Sequence, residues 1–346
     1  MYFGINSDDG KAIVGFFAPD NPVASATIEV IVNGEVRVAR QTWMPRPDIV
    51  ELGIHSSGLV GFRFDETDVD GLADHTDVKL RDRDSGLLFF SRRRSTDIDR
   101  GVFIFDASLL VPDTRIIANA QRHFSLVHWQ LASKSLETML VMVTNFFNTS
   151  QFFWGAQNLS RIQQHIVERE YVVGAMLRQP FEDLAESLAV LAILASPSGE
   201  RHRGAVPKTH WSLLEFAAAL DFTDRKALSA SFDRLSREQR LALVSPMTRM
   251  LACTPDQTPT WRSISIALDH LATMNVVATR DRFSLFGALL EPLIGVDLLR
   301  GCEARSDRIA ELAQTLGTIS AVEDLVAEDL ELYRAVSAAV ETTRAR

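Results

Sequence analysis

Cysteine occurs only twice in the 346 residues, at Cys253 and Cys302, and neither has a His or a second Cys at metal-ligand spacing. That sets aside a disulfide framework and a zinc site, and a reducing, cytoplasmic setting fits. Long apolar runs are also missing. The most hydrophobic stretch, Leu184 to Ala195, is interrupted by Glu186 and falls short of the roughly 18 apolar residues that a membrane span requires. No basic segment followed by an apolar stretch opens the chain, so no leader is expected. Positive charge is in the minority: 36 Lys and Arg face 45 Asp and Glu, a net charge of −9, which argues against coating a nucleic acid while leaving room for a local basic cleft. What is present is ordinary globular material, 46% hydrophobic and 23% charged, in a length suited to about two domains.

The pattern changes near residue 95. Before it, alternating segments at Ala12 to Phe17, Thr27 to Val32, Glu35 to Ala39, Leu59 to Phe64, Val78 to Leu80 and Leu87 to Phe90 read as strands. Asn33-Gly34 between two of them marks a tight hairpin, and residues 1–94 are expected to form an antiparallel β-sandwich. Arg92-Arg93-Arg94 then reads as the solvated start of a linker covering 95–119. Strands alternating with helices follow, so 120–300 is expected to be an α/β domain. The spacing of Ile309, Leu312, Leu316, Ile319, Val322 and Leu325 predicts a helical segment over 301–346.

Within the α/β region, HFSLVHWQLASKSLETML at His123 to Leu140 has the layout of an anion-binding strand, loop and helix. Leu126 and Val127 end the strand, Ala132, Ser133, Lys134 and Ser135 form a turn of small and hydroxyl residues, and Leu136, Met139 and Leu140 supply a buried helix face. Small side chains let backbone N–H groups close on an anion, and the helix N-terminus adds positive potential.

Two resemblances extend this reading. The succession GKAIVGFFAPDNP, IEVIVNGEV, RPDIVELGIHSSGLVGFRF and VKLRDRDSGLLFF resembles a small β-sandwich module attached to bacterial glycan-modifying enzymes, with Gly15, Asp20, Asn21, Pro22, Gly34, Arg46, Pro47, Asp48, Gly58 and Phe62 at the corresponding places. Downstream, LVHWQLASKSLETML is similar to the 5′-phosphosulfate loop of sulfotransferases. YVVGAMLRQPFEDLAESLAVLA is similar to their 3′-phosphate segment, matched by Arg178, Pro180, Phe181 and Glu182. SLLEFAAAL, SPMTRMLAC and ALDHLATMNVVATRDRFSLFGALLEPLIG resemble the later carbohydrate-sulfotransferase succession, with Thr248, Arg249, Leu251, Arg282, Phe283, Leu289 and Leu290 in pattern.

The resemblance implies a sulfotransferase-like P-loop α/β fold and a reaction. A hydroxyl of a carbohydrate acceptor would attack the sulfur of 3′-phosphoadenosine 5′-phosphosulfate (PAPS) in line, with no metal required. Ala132, Ser133, Lys134 and Ser135 would hold the 5′-phosphosulfate, Arg178 would hold the 3′-phosphate with Ser187 near it, and Arg249 is a second candidate on the nucleotide side.

This chain departs from the family where chemistry is concentrated. Gln130 replaces the loop Lys that bridges to the leaving oxygen, and Lys134 lies four residues on as its substitute. Gly155-Ala156 stands where a Gly-His often supplies the base. That leaves His165, His128, Glu168 and Glu170 as replacements. Glu186 occupies the place of a nucleotide-contacting Ser, one residue before Ser187. Two functions remain open: a divergent sulfotransferase acting on a glycan, or a catalytically impaired relative that binds a glycan or a partner. The absence of G-x-x-x-x-G-K-[ST] and of an Asp placed for Mg²⁺ argues against a kinase.

Overall fold

The computed structural model of the chain describes residues 1–206, 210–303 and 307–344. Its first part is built from β1 (Tyr2–Asp8), β2 (Ala12–Ala18), β3 (Thr27–Val32), β4 (Glu35–Gln41), β5 (Met44–Pro45), helix α1 (Pro47–Glu51), β6 (Leu59–Asp65), β7 (Val78–Asp82) and β8 (Leu88–Ser91). The strands form two antiparallel four-stranded sheets, ordered β1-β2-β6-β5 and β4-β3-β7-β8. Asn33 and Gly34 both take positive φ, 53° and 83°, which is the twist a two-residue hairpin turn needs. Phe62 and Phe64 are both fully buried, their ring centroids 5.6 Å apart, beside Phe3, Phe17 and Phe89. Gly15 serves close approach, since a Cβ there would lie 2.5 Å from the Gly4 carbonyl oxygen.

The sandwich does not lead into a linker. Residues 95–119 contain β9 (Gly101–Phe105) and the start of α2 (Arg115–His123), and β9 is the middle strand of the second part. All five β9 residues are buried. A strand covered on both faces carries no alternation, so GVFIF gives no period-two signal. The arginine run is likewise tied down. Arg92 donates through Nε and Nη2 to Asp8 at 2.9 and 2.8 Å and through Nη1 to the Leu72 and His75 carbonyls, both at 2.7 Å. Arg93 pairs with Asp99 and Arg94 with Asp97. The expected solvated start of a linker is therefore a clamp.

The second part continues through β10 (Leu126–Trp129), α3 (Leu136–Thr144), β11 (Gln151–Gly155), α4 (Leu159–Glu168), β12 (Val172–Leu177), α5 (Pro180–Ala195), α6 (Trp211–Ala218), α7 (Arg225–Asp233), α8 (Arg237–Leu243), α9 (Pro246–Ala252), α10 (Trp261–Ala272), β13 (Val276–Thr279), α11 (Phe283–Ile294), α12 (Asp307–Leu316), α13 (Ser320–Leu325) and α14 (Ala327–Arg344). Five parallel strands lie in the order β10-β11-β9-β12-β13. Ile116, Ile117 and Ala120 of α2 pack with Phe283 and Phe286 of α11 on one face. Met139, Ile162, Ile264 and Val336 from α3, α4, α10 and α14 belong to the core on the other, which runs without a break into the sandwich. α5, α6, α7, α8, α12 and α13 form a separate helical core. The chain is thus mixed α/β, with antiparallel sheets followed by a parallel sheet and helices. Among the described residues no helix is long and apolar enough to cross a membrane.

Candidate functional site

In an open parallel sheet, ligands collect beyond the carboxyl ends of the strands, where neighbouring connections leave to opposite faces. β9 is such a place: α2 follows it onto one face, whereas α4, after the adjacent β11, lies on the other. The loop after β9 carries carboxylate and hydroxyl groups. Asp106 accepts hydrogen bonds from Trp154 Nε1 and from the Ser108 N–H, both at 3.0 Å. Ser108 Oγ donates to Asp183 at 2.6 Å.

Beside this loop, β12 is followed by Arg178 and the strand after the helical excursion, β13, by Arg280. Both guanidinium groups are buried and both pair with Glu186 of α5, Arg280 at 3.3 Å. Arg280 Nη2 also donates to the Leu110 carbonyl at 3.3 Å. The Nε atoms of both arginines are buried without a hydrogen-bond acceptor among the described residues, and that of Arg178 lies 3.8 Å from the Glu182 carboxylate. One carboxylate therefore serves two cations.

A small cavity of about 30 Å³ lies between Ala132, Ala156, Asp183, Ser187, His210 and Asp329, and it adjoins one of about 170 Å³ lined by Ala132, Ala156, Gln157, His210 and Arg249. Burial pushes the Asp183 carboxyl above its usual range and that of Asp329 to about 7. Asp329 accepts from the Met247 and Thr248 N–H groups at 3.0 and 2.7 Å. Burial, with the Arg249 charge added, drops His210 to about 4, so it is a neutral imidazole. Arg249 donates to the Leu241 and Ala242 carbonyls, and burial lowers its pKa.

The residues named from sequence fall into two groups that meet at Gln130. Ala132, Ser187 and Arg249 meet around the two adjoining cavities, with Ala156 among them in the place expected for a His. Gln130 and Lys134 line a cleft of about 430 Å³ between β-sandwich and parallel sheet, and Gln130 also borders a space of about 20 Å³ together with Ala132 and Ala156. The turn from Gln130 to Lys134 closes on itself. The Ser133 and Lys134 N–H groups donate to the Gln130 and Leu131 carbonyls at 3.1 and 2.9 Å, Ser133 Oγ donates to Gln130 O at 2.8 Å, and Ser135 Oγ accepts from the Thr138 N–H at 3.2 Å as the cap of α3. Gln130 itself has φ 56°. The strand before it, β10, lies at the sheet edge, three strand spacings or about 14 Å from β12 and Arg178.

Of the base candidates, His128 lines the 430 Å³ cleft, whereas His165, Glu168 and Glu170 line none of the spaces described above. His165 is in the last turn of α4, about 9 Å along the axis from the helix start that faces the strand ends, and lies 3.5 Å from Glu168. His128 is buried against the Phe153 ring, with centroids 5.1 Å apart, and burial together with the Lys134 charge drives its pKa down to about 3. Asp183, His210, Arg280 and Asp329 had no motif to reveal them. His210 lies two residues before the SLLEFAAAL pattern, and Asp183 and Arg280 fall inside two of the resembling segments at positions that carry none of the matched residues. No family model matches this chain, and no curated protein matches it significantly.

Proposed function

We propose that the chain is a sulfotransferase-like protein that has given up turnover and acts as a saccharide-binding module. The single observation that carries this reading is Glu186. At the place where the family has a phosphate-contacting Ser, this chain brings its own carboxylate onto Arg178 and Arg280, so the positive charge expected for a nucleotide 3′-phosphate is already partnered inside the protein. The self-bonded turn at Gln130 to Lys134 and the Ala at position 156 agree with it. The resemblance of the sandwich to modules of glycan-modifying enzymes supports a sugar as ligand.

The test combines sulfuryl transfer and calorimetry. The wild type and Gln130→Lys/Ala156→His are expected to transfer nothing from PAPS to a panel of sugars. Adenosine 3′,5′-bisphosphate is expected to give no heat with wild type and to bind once Glu186→Ser frees the two arginines. Turnover by the wild type, or wild-type nucleotide binding that Arg178→Ala abolishes, would overturn the reading in favour of a divergent sulfotransferase. One observation favours that second reading. The Lys134 side chain shares a cleft with Gln130, the residue in the place of the leaving-group Lys, and has no carboxylate within ion-pair distance among the described residues.

A further inference from the structure

We propose that the cleft between the β-sandwich and the parallel sheet binds an anionic sugar, a saccharide carrying a carboxylate or a sulfate, with the Lys134 ammonium as its charge partner and the Trp129 indole as its stacking face. The inference rests on the saccharide-binding reading above and adds to it a place and a ligand class.

At about 430 Å³ the cleft has the volume of a small-molecule site, and it lies where such sites concentrate, between two packed units. The loop around Gly86 and Leu87 forms one wall, and Gln121, Trp129, Gln130 and Lys134 form the other. Its charge is uneven. Lys79 is paired with Asp77 at 3.0 Å, and Arg94 with Asp97 at 2.6 Å. Lys134 has no carboxylate partner among the described residues, although burial lowers its pKa. His128, which also lines the cleft, is held neutral by its burial and adds no charge. A partly buried ammonium without a counter-ion is costly, and an anion entering the cleft offsets that cost.

The remaining lining selects a sugar over a bare phosphate. Trp129 is 38% exposed, leaving its ring surface open at the end of β10, and the Gln121 and Gln130 amides offer donors and acceptors for ring hydroxyls. A phosphate would call on backbone N–H groups, and those of Ser133 and Lys134 are already bonded to the Gln130 and Leu131 carbonyls. In a chain of net charge −9, the cleft is a local reversal of sign, lined by Lys79, Arg94 and Lys134 against Asp77.

The experiment titrates the full chain by calorimetry with a glucuronate-containing disaccharide, a sulfated disaccharide, their neutral counterpart and inorganic sulfate. Both charged disaccharides are expected to bind, the neutral one at least about tenfold more weakly. Lys134→Met is expected to erase that preference and Lys134→Arg to keep it. Trp129→Ala is expected to weaken all three sugars about fivefold. Circular dichroism and melting curves establish that each variant is folded. Charged-sugar affinities that Lys134→Met and Trp129→Ala leave unchanged would overturn the site while leaving the saccharide-binding reading standing. Sulfate binding as tight as the sulfated disaccharide would overturn the ligand class. No binding of any sugar by folded wild type would remove both the inference and the reading beneath it.

Discussion

Arg178, the residue after β12, is ion-paired to Glu186, two turns into the helix that follows the same strand. The pair is local in sequence, but Arg280, arriving from beyond β13, makes Glu186 the meeting point of two distant segments. The carboxylate thereby links the second half of the sheet to α5.

Removing that carboxylate leaves buried Arg280 without an ion pair among the described residues and Arg178 with Glu182 alone, at 3.8 Å. Glu186→Gln is expected to destabilise the protein by about 3 kcal/mol, read by urea denaturation, because a buried pair that loses one partner leaves its charge uncompensated. Added sulfate is expected to restore part of the loss in the variant and to change the wild type little. Equal stability of the two proteins would mean that the arginines are neutralised by something other than Glu186.

Asp329 sets a pH dependence of its own. Its pKa is raised by burial from 3.8 to about 7, so the folded state holds the proton more tightly than the unfolded chain does. The stabilising contribution is fully present below about pH 4 and is lost as pH rises through about 7. Asp183 shifts in the same direction, whereas Asp113, lowered to about 2 by the Arg115 guanidinium, acts the opposite way at lower pH. The difference between wild type and Asp329→Asn isolates the single group. Wild type is expected to lose stability relative to the variant between pH 4 and pH 7, and parallel stability curves would show that Asp329 keeps an ordinary pKa.

Arg92 predicts a resistance pattern. Its side chain is 14% exposed and fixed to Asp8 and to three carbonyls, so an Arg-specific protease is expected to spare the 92–94 run in the native protein. Arg92→Ala is expected to cost about 3 kcal/mol and to open that run to cleavage. Early cutting of wild type at these arginines, seen by mass spectrometry of the first fragments, would contradict the clamp.

Gly101 begins β9 under the Tyr171 ring. A Cβ there would lie 2.3 Å from the ring, whose hydroxyl donates to Gln151 Oε1 at 2.7 Å. Gly101→Ala is expected to lower stability by about 2 kcal/mol through overpacking. Gly101→Ala/Tyr171→Leu is expected to recover part of it, and an unchanged Tm for the single variant would exclude the contact.

The parts of this architecture that were legible in sequence are those with a local cause. The Asn33-Gly34 turn requires positive φ at both residues, and β3 before it sets Ile28, Val30 and Val32, all fully buried, at every second position, while β4 after it buries no residue. β9 has no alternation to read, and β1 is broken by Gly4 and Asn6, with a register shift between Ile5 and Ser7. At the site, Glu186 stood out in sequence as a departure, but its partner Arg280 lies 94 positions away and is brought in only by the pairing of β12 with β13. His210 and Asp329 converge for the same reason, through helices whose packing leaves no local mark.

The order of the sheet also governs how the chain must assemble. β12 and β13 are hydrogen-bonded neighbours, yet the entire helical excursion between Arg178 and Asn275 separates them. During synthesis β12 emerges and docks on β9 long before its outer partner exists, exposing a row of unpaired backbone groups on an apolar strand. A nascent chain halted within that excursion is open to edge-to-edge association, and closure by β13 is a late, non-local and therefore slow step of folding.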